Sequence, residues 1–329
     1  MSRSNKPFDV VIVGAGPAGC VLARRLTENP DRRVLLLEAG PDYGPDLSAW
    51  PAEMQDAVSY QPDSHAWRHY HVDRPAEAPL PLSQARVVGG SSTINSCIWL
   101  RGSAADYDRW AVDNPGWAFA DLLPYFRRSE ADPIGGFLHG TDGPVPIWRV
   151  PATDRSPVDQ AMVAAAEALG LPPIADLNGH PVQRPGVGPT PRNVADGRRM
   201  HAAWTYLAPV RTRPNATLVA QVMIDQVLIE RGRAVAVQAA DGQVFRGKEI
   251  ILCAGAFGSP AILLRSGIGP AEHLHTHGIR VIADLPGVGE NLQDHPFLGG
   301  LLAAAVHSVQ APSTPSSLPT TLKARVNAG

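Results

Sequence analysis

Cysteine is scarce in this chain, and its scarcity argues against several classes of protein. The 329 residues contain three cysteines, Cys20, Cys97 and Cys253, which is an odd number at scattered positions. This arrangement argues against a disulfide framework and against a zinc site. We therefore predict that each cysteine is a small buried hydrophobic residue and that the protein works in a reducing compartment, the cytoplasm.

Excess charge and long apolar runs are also missing. The chain has 29 basic and 31 acidic residues, which gives a formal net charge of −2. This balance offers no electrostatic argument for nucleic acid or an anionic membrane as a partner. No apolar run approaches the roughly 20 residues of a membrane-spanning helix. The N-terminus leads almost directly into the first predicted strand, so we expect no signal peptide.

A recognisable set of metal ligands is missing as well. His65, His69 and His71 lie at spacings that could converge on a metal ion. No cysteine or acidic residue completes a ligand set around them, so surface and loop histidines are the favoured interpretation. We predict no metal site.

What the chain does contain is an ordered series of signals near its start. Val10 to Val13 is a short β-branched run suited to a buried parallel strand. Gly14, Gly16 and Gly19 then form the pattern G-x-G-x-x-G where the strand gives way to a helix. These glycines allow a tight turn, a close approach of a pyrophosphate to the backbone, and close packing of the helix on the sheet. The open amides of the helix N-terminus form an anion site.

Glu38 completes this pattern. It follows the second predicted strand, Val34 to Leu37, and lies 19 residues beyond Gly19. A carboxylate at this point can accept both hydroxyls of an adenosine ribose. It would repel a 2′-phosphate, so NADP is disfavoured. The residues from Phe8 to Gly40 therefore predict a dinucleotide site, but they do not distinguish FAD from NAD.

A second unusual stretch runs from Arg86 to Gly102. Its middle is nearly uncharged and rich in small residues, and Gly89 to Ser92 offers amides and hydroxyls with little side-chain bulk. A loop that lies against a flat polar ligand requires such a composition. A tight turn that enters a buried helix would explain it equally well.

Periodicity predicts further elements. Ser156 to Leu169 is predicted as an amphipathic helix that ends at Gly170. Its predicted apolar face consists of Val158, Met162, Ala165, Ala166 and Leu169. Alternation from Val227 to Val237 predicts an antiparallel hairpin that turns at Arg231-Gly232.

The last third of the chain predicts another parallel strand and a following helix. Ile250 to Cys253 is a fully apolar run that ends at a small-residue turn. The next helix is predicted to be capped by Ser259, to have Pro260 at its first position and to stop at Gly267. A final apolar strand is predicted from Phe297 to Val309.

These residues resemble the glucose–methanol–choline (GMC) oxidoreductase family, on its choline-dehydrogenase-like side. Ala85 to Asp108 matches the first family signature, and Gly255 to Gly269 matches the second. Shorter features, including HG…GP and G-V-G-x-N-L-Q-D-H, also occur, and the match runs over nearly the whole chain. The resemblance implies an α/β fold, with a Rossmann-like FAD-binding domain and a second, α+β substrate domain that is truncated at the C-terminus.

The resemblance also implies how the chain is divided. Residues 1–150 and 204–296 would form the two parts of the FAD-binding domain. Residues 151–203 would be a segment of the substrate domain, and 297–329 would begin its truncated sheet. We therefore expect the chain to be the N-terminal portion of a longer protein.

FAD is the cofactor that the resemblance implies. The Gly14 turn would hold the pyrophosphate, Glu38 the ribose, and the backbone around Ile224 the adenine. The loop from Arg86 to Ile98 would line the isoalloxazine. The predicted cofactor-binding residues are Gly14, Gly16, Pro17, Ala18, Gly19, Glu38, Ala39, Arg86, Val88, Gly89, Gly90, Ser91, Asn95, Ser96, Cys97, Ile98, Ile224, Ala254, Gly255, Asp294 and His295.

Covalent attachment of the flavin is not expected. Some relatives link it through a histidine in the glycine-rich loop, and the aligned residue here is Ile94. The resemblance therefore implies noncovalent FAD.

The implied reaction is oxidation of a primary alcohol to an aldehyde, with hydride transfer to flavin N5 and a histidine as the base. In such proteins that base lies near the C-terminus of a longer chain. The later histidines here are His273, His275, His277, His295 and His307, and none is a credible substitute. We predict no catalytic residue, and we expect the chain alone to bind FAD weakly without turning over alcohols.

Two alternatives remain open: an FAD-containing lyase of the same fold, and a non-catalytic flavin-binding fragment. The expected partners are a small-molecule alcohol and an electron acceptor, either oxygen or a quinone. Trp67, Tyr70 and Trp99 could form an aromatic cage for a quaternary ammonium group. Aromatic residues that fill the core are the favoured interpretation.

Overall fold

The computed structural model describes residues 7–57, 65–67, 71–72, 80–81, 83–179, 185–294 and 320–323. The chain divides into two compact units. The first unit comprises Met1–Trp50, Gln61–Thr93 and His201–Leu301. The second comprises Pro51–Tyr60, Ile94–Met200 and Leu302–Gly329.

Helices and short strands alternate along the described residues. The α-helices are α1 (Pro17–Leu26), α2 (Ala52–Gln55), α3 (Ala104–Ala111), α4 (Phe119–Ser129), α5 (Pro157–Ala168), α6 (Gly255–Arg265) and α7 (Ala271–Thr276). The strands are β1 (Phe8–Val13), β2 (Val34–Leu37), β3 (His71–Val72), β4 (Leu80–Pro81), β5 (Glu130–Ala131), β6 (Val145–Pro146), β7 (Gly186–Pro189), β8 (Val194–Ala195), β9 (Arg198–Arg199), β10 (Ala216–Val219), β11 (Ile224–Glu230), β12 (Arg233–Ala239), β13 (Val244–Leu252), β14 (Ile268–Gly269), β15 (Ala283–Asp284) and β16 (Thr320–Lys323). Single turns of 3₁₀-helix cover Leu47–Ala49, Gly90–Thr93, Ala152–Asp154 and Ala208–Val210, and Ala203–Leu207 is a π-helical turn.

A six-stranded sheet organises the first unit, in the order β10-β2-β1-β13-β12-β11. The first four strands are parallel, and β12 and β11 extend the sheet as an antiparallel hairpin. The strand β13 serves both parts, because Val244–Arg246 pairs with β12 and Gly247–Leu252 pairs with β1. The predicted parallel strands and the α/β class are confirmed.

Burial of the central strands on both faces explains their continuous apolar sequences. Residues Val10 to Val13 and Val34 to Leu37 are each at most 4% exposed. One face of the sheet contributes Val11, Val13, Leu35 and Leu37 to a core that also contains Ile262 of α6. The helix α1 packs against β1 and β2 in the same unit.

The predicted hairpin is confirmed in its position, pairing and turn. Glu230 pairs with Arg233 across a two-residue loop, Arg231-Gly232. Both loop residues have positive φ, 51° and 76°. This is the conformation of a type I′ turn, whose twist matches that of the flanking strands.

The predicted start of α6 was wrong. The helix begins at Gly255, and Pro260 lies inside it at the sixth position. The hydroxyl of Ser259 accepts a hydrogen bond of 3.0 Å from the Ala254 amide, so Ser259 closes the N-terminus from within the helix. The predicted end is confirmed, because Gly267 follows the C-cap with φ of 79°.

The helix α5 of the second unit has the predicted bounds, but of the predicted apolar face Ala166 alone is buried. Val158 and Leu169 are 64% and 80% exposed, whereas Asp159 and Ala166 are buried. The buried face is thus shifted by one residue, about 100° around the helix. Asp159 is buried because it is part of the N-terminal cap, where its carboxylate accepts a hydrogen bond from the Ser156 hydroxyl.

The compact units have different bounds from the predicted domains. The first part of the FAD-binding domain was predicted to extend to residue 150, but the first unit is interrupted after Thr93. The unit resumes at His201, close to residue 204, where the second part of that domain was predicted to begin. Residues 94–150 belong to the second unit, and the domain bounds implied by the resemblance stay a prediction. The strand predicted from Phe297 to Val309 lies outside the described residues.

Within the described ranges, no helix combines the length and the apolar character needed to cross a membrane.

Candidate cofactor site

A cavity of about 570 Å³ in the first unit opens where β1, β2 and β13 end. Ligands of open α/β sheets bind outside the carboxyl ends of parallel strands, and pockets for small ligands typically measure roughly 300–1,000 Å³. Its lining residues include Val13, Gly14, Gly16, Pro17, Ala18, Leu37, Glu38, Ala39, Trp67, Gln84, Gly90, Ser91, Val222, Met223, Ile224, Ala254, Gly255, Phe257 and Arg265. Position and size both fit a nucleotide.

The N-terminus of α1 forms one wall of this cavity. Pro17 occupies the first helical turn, and no side chain in the described part of the chain caps that turn. The turn contains no acidic residue either, so its amides remain open to a ligand. An uncapped helix N-terminus on a cavity wall is suited to an anion such as a pyrophosphate.

The three glycines of the turn have different physical roles. A Cβ atom on Gly14 would lie 2.4 Å from the Cys253 carbonyl oxygen, and one on Gly19 would lie 1.9 Å from the Gly14 carbonyl oxygen. Packing therefore requires these two glycines. Gly16 has φ of −68°, and its nearest neighbour would be the Gly90 Cα at 4.0 Å. Neither backbone conformation nor protein packing requires glycine at position 16. The approach of a ligand is the remaining reason for a glycine there.

Glu38 reaches back to the glycine turn from the end of β2. One carboxylate oxygen accepts a hydrogen bond of 2.8 Å from the Ala15 amide, and the other accepts one of 2.9 Å from the Gly40 amide. Burial raises the pKa of Glu38, and these two amide hydrogen bonds oppose the rise. The carboxylate is thus held in one orientation on the cavity wall, with lone pairs left for ligand hydroxyls.

The Arg86 to Ser91 part of the glycine-rich loop is also placed in the first unit. The Gly89 amide donates to the Ala15 carbonyl oxygen at 2.7 Å, which ties the loop to the α1 turn. Gly90 and Ser91 line the cavity, whereas Val88 and Gly89 are buried behind it. The Arg86 guanidinium lies over the Trp67 ring, 5.5 Å from its centroid.

Part of the cavity wall was not predicted from the sequence. Val222 and Met223 precede β11, and Phe257 lies in the first turn of α6. The predicted residues Ile224, Ala254 and Gly255 line the same side. The earlier start of α6 places Phe257 on the wall.

Some predicted cofactor residues lie elsewhere. Asn95, Ser96, Cys97 and Ile98 belong to the second unit. Asp294 is exposed at the end of a described range, and His295 lies outside the described residues. The roles of these residues toward a cofactor stay predictions.

The cysteine prediction is confirmed for two of the three thiols. Cys20 and Cys97 are fully buried, and Cys253 is half-buried. Burial raises the pKa of Cys20 to about 12, and its thiol donates to the Ala15 carbonyl oxygen. Cys20 therefore stays protonated and acts as a core residue beneath the turn.

Trp67 and Trp99 of the possible aromatic cage each contact another side chain within the described residues. Arg86 already covers the face of Trp67, and the Trp99 indole nitrogen donates to Glu130 in the second unit. Tyr70 lies outside the described residues, as does His69 of the histidine group.

A buried ionic cluster in the second unit has the composition of a metal site. Glu130, Asp132 and His139 place possible ligand atoms within 4.8 Å of one another. Both ring nitrogens of His139 contact carboxylates, with Nδ1 2.9 Å from Glu130 and Nε2 2.8 Å from Asp176. Burial alone would lower the pKa of His139, but the carboxylates outweigh it and raise that pKa to about 11. A protonated imidazole has no lone pair for a metal.

Two arginines complete the charge balance of this cluster. Arg101 pairs with Glu130, and Arg149 pairs with Asp132 at 2.8 Å. With Asp176, the cluster contains three carboxylates and three cations. Within the described residues, the charges of this cluster therefore balance one another.

Comparison with known proteins decides the family. Residues 8–297 match the GMC oxidoreductase family. The chain belongs to this family. The resemblance found in the sequence is thereby confirmed.

Curated relatives of this GMC chain are named as choline dehydrogenases. It is 42% identical to an oxygen-dependent choline dehydrogenase of Klebsiella pneumoniae (strain 342) over 304 residues, 88% of this chain and 54% of the relative. The same identity relates it to the enzyme of Escherichia coli O157:H7, over 303 residues and 53% of that protein. The chain thus spans about half the length of the curated relatives it matches.

Solved structures of the family share its fold. The pyridoxine 4-oxidase of Mesorbium loti is 34% identical with a TM-score of 0.77, covering 85% of this chain and 55% of that one. An FAD-dependent oxidoreductase of Chaetomium thermophilum is 32% identical with a TM-score of 0.75, covering 85% and 51%. These similarities confirm the fold class, and the second relative is named as FAD-dependent.

Proposed function

We propose that this chain is the FAD-binding portion of a GMC oxidoreductase that oxidises the CH–OH group of a primary alcohol to an aldehyde. The cavity at the ends of β1, β2 and β13 carries the proposal, because an uncapped helix N-terminus and a buried carboxylate face the same space. Bound FAD would supply the hydride acceptor.

The residues of the first unit would bind and orient the AMP half of FAD. The amides of the α1 N-terminus would bind the pyrophosphate, and the Glu38 carboxylate would accept the ribose hydroxyls. Both features fit the group: Gly16 leaves room for the backbone approach, and Glu38 is already fixed by the Ala15 and Gly40 amides. We assign no catalytic base to this chain.

Binding selectivity tests this proposal. Equilibrium dialysis of the chain against FAD, NAD and NADP should show binding of FAD that is stronger than that of NAD, and the weakest binding for NADP. The NADP result is expected because its 2′-phosphate would meet the Glu38 carboxylate. Absence of FAD binding, or a preference for NAD, would contradict the proposal.

We propose that the FAD is held noncovalently. Ile94 is buried, 4% exposed, and its hydrocarbon side chain offers no atom that could bond to the flavin. Acid precipitation of the FAD-loaded chain should release all yellow colour to the supernatant. Colour that stays in the washed pellet would show a covalent link.

A choline-like alcohol is the substrate class that the relatives suggest, since several are named as choline dehydrogenases. Another relative is named as a pyridoxine 4-oxidase. We therefore propose a primary alcohol as the substrate. The proposed electron acceptor is a two-electron acceptor, either oxygen or a quinone.

A further inference from the structure

A series of aromatic rings runs through the first unit from its interior to its surface. Trp204 and Trp50 are 8% and 2% exposed, and their ring centroids lie 5.6 Å apart. The Trp50 ring lies 5.4 Å from that of Tyr43, which in turn lies 5.6 Å from the His65 ring. Tyr43 and His65 are half-buried, and His65 lines a pocket of about 430 Å³. These separations are those of rings in contact, so the series is continuous.

The inner end of the series lies against the glycine-rich loop. Trp204 belongs to the π-helical turn Ala203–Leu207, which packs on α1. The Ala202 amide, directly before this turn, donates to the Ser92 hydroxyl oxygen at 3.1 Å. Gly90 of the same loop lines the cofactor cavity. The series therefore begins beside a segment that forms the cavity wall and ends at the surface.

The two indoles of the series have no base to which they could lose a proton. The Trp204 indole nitrogen is buried, and no residue in the described part of the chain accepts its hydrogen. This is unusual, because a buried indole N–H normally has a partner. The Trp50 indole nitrogen donates to the Gly44 carbonyl oxygen at 3.1 Å, and a carbonyl oxygen is not a base. A tryptophan that loses an electron here keeps its proton, and the resulting radical cation is a strong oxidant of the next ring.

The phenol at the outer end does have a proton acceptor. The Tyr43 hydroxyl oxygen lies 2.5 Å from His65 Nε2. In the tautomer that carries its hydrogen on Nδ1, the imidazole accepts the phenolic hydrogen at Nε2. A phenol that loses an electron becomes a strong acid, so oxidised Tyr43 gives its proton to His65 and remains as a neutral radical. Burial and hydrogen bonding thus both favour Tyr43 as the end of the series.

We infer that Trp204, Trp50 and Tyr43 form a relay that carries an oxidising equivalent from beside the cofactor cavity to the Tyr43–His65 pair at the surface. The source of that equivalent rests on the proposed function, since reactive oxygen species form at a flavin whose electron acceptor is oxygen. The relay would protect the cavity wall, because the radical ends on a half-buried tyrosine that soluble reductants can reach.

Each step of the relay moves one electron. A hydroxyl radical takes an electron from Trp204 and becomes hydroxide. Trp204 regains an electron from Trp50, and Trp50 regains one from Tyr43. The Tyr43 proton passes to His65 and on to solvent, where it neutralises the hydroxide. A soluble thiol then restores Tyr43 by supplying one electron and one proton.

A photo-oxidant placed in the cavity tests the relay without FAD. Cys253 is half-buried and lines the cavity, whereas Cys20 and Cys97 are fully buried, so a thiol-reactive ruthenium bipyridine complex should attach at Cys253. Light and a soluble electron acceptor convert this label to ruthenium(III), a one-electron oxidant. Transient absorption should show tryptophan radicals that decay as a neutral tyrosine radical appears. If Cys253 does not react, Ser91→Cys supplies a thiol on the same wall.

Three substitutions locate the path. Tyr43→Phe keeps the ring and removes the hydroxyl, so the tyrosine radical should be lost while the tryptophan radicals persist. Trp50→Phe keeps an aromatic ring that is much harder to oxidise, so the tyrosine radical should form more slowly. His65→Gln keeps a hydrogen-bond acceptor but removes the base, and the yield of tyrosine radical should fall at least about tenfold.

Tyr125→Phe is the matched control, because Tyr125 is 67% exposed on α4 of the second unit. It should change neither the yield nor the rate. A tyrosine radical that survives in Tyr43→Phe, or a loss in Tyr125→Phe as large as in Tyr43→Phe, would overturn the relay. An unchanged yield in His65→Gln would overturn the role of His65. If Trp50→Phe does not fold, Tyr43→Phe decides, because it removes a single oxygen atom from a half-buried ring.

The same labelled chain separates this inference from the proposed function. If no tyrosine radical forms in the otherwise unmodified chain, the relay is wrong, whether or not the chain binds FAD. If the radical forms but equilibrium dialysis shows no FAD binding, the proposed function fails and the relay stands.

Discussion

Gly16 and Gly19 belong to the same motif but are subject to different structural constraints. A Cβ on Gly19 would meet the Gly14 carbonyl oxygen at 1.9 Å, which fixes how closely α1 packs on the turn. A Cβ on Gly16 would meet the protein no closer than 4.0 Å, and Gly16 lines the cavity. Gly19 is required by the fold, and we propose that Gly16 serves the approach of the cofactor.

Substitution at these two positions should therefore separate binding from stability. Gly16→Val should leave the melting temperature nearly unchanged and weaken FAD binding at least tenfold, because its side chain would fill the path of the pyrophosphate. Gly19→Ala should destabilise the chain by about 1–3 kcal/mol or more, as expected of overpacking. Thermal unfolding and an FAD titration measure the two effects.

A matched control is Gly287→Val, at an exposed glycine without positive φ or close neighbours. It should change neither quantity. Loss of stability in Gly16→Val, with FAD affinity retained, would show that position 16 serves packing instead.

The hairpin of β11 and β12 shows how a local signal can fix an element. Its turn requires left-handed φ at two successive residues, and the chain uses Arg231 and Gly232 there. Glycine adopts this conformation freely, whereas a residue such as arginine pays roughly 1–2 kcal/mol for it. The turn thus depends on the two-residue spacing between the strands and on one residue, Gly232, that adopts the left-handed conformation freely.

Replacing Arg231 by asparagine should stabilise the hairpin. Asn-Gly is the preferred pair for a type I′ turn, so Arg231→Asn should raise the free energy of unfolding by up to about 1 kcal/mol. Urea unfolding measures the gain. Arg233→Asn, the same change at the first residue of β12, should give no gain because asparagine is disfavoured in strands. Equal effects of both changes would argue against turn strain.

In the molecule as a whole, the two units are stabilised by different means. The first relies on its apolar sheet core, in which strands β1 and β2 are almost completely buried. The second has a smaller apolar cluster around Ala57, Cys97 and Val194, and it contains the ionic network around His139. That network joins segments from Arg101 to Asp176 by charge rather than by apolar packing.

This network predicts how stability depends on pH. Hydrogen bonds and cations hold the pKa values of Glu130, Asp132 and Asp176 below their usual range despite burial. Their contribution to stability is present above the ordinary carboxyl pKa of about 4 and is lost as the pH falls through the lower folded values. The raised pKa of His139 gives a contribution that is complete below about 6.5 and is lost as the pH rises through about 11.

Removing the central cation should destabilise the network. His139→Gln leaves three buried carboxylates with two arginines, and breaking a buried ion pair costs about 3–5 kcal/mol. Urea unfolding should show this loss in full at pH 5 and a smaller loss at pH 9, because the contribution of the imidazolium falls as the pH rises from about 6.5 toward about 11. His273→Gln, on the exposed surface of α7, should show none. A stability equal to that of the unmodified chain would mean that the network is not held together by the imidazolium.

Strand–turn–helix signals could be predicted from the sequence because they depend on neighbours along the chain. The bounds of α5, the end of α6 and the turn at Arg231-Gly232 follow from caps and periodicity over a few residues. The predicted buried face of α5 was off by one position because it was based on apolar residues alone, whereas Asp159 is buried as part of the N-terminal cap. The start of α6 was missed because Ser259 closes the helix from inside it.

By itself, the sequence determined the glycine turn, the acidic end of β2 and the GMC family, because each is a matter of residue type at fixed spacing. Only the tertiary structure decided that Gly16 faces open space while Gly19 is packed, and that His139 is enclosed by three carboxylates. Only the tertiary structure placed the Arg199 guanidinium beside the Asn95 side-chain oxygen, because Arg199 lies 104 residues further along the chain. The spacing of a motif is a property of residues that are close in the chain. The partner of a buried charge can be distant in the chain, so it depends on the tertiary fold.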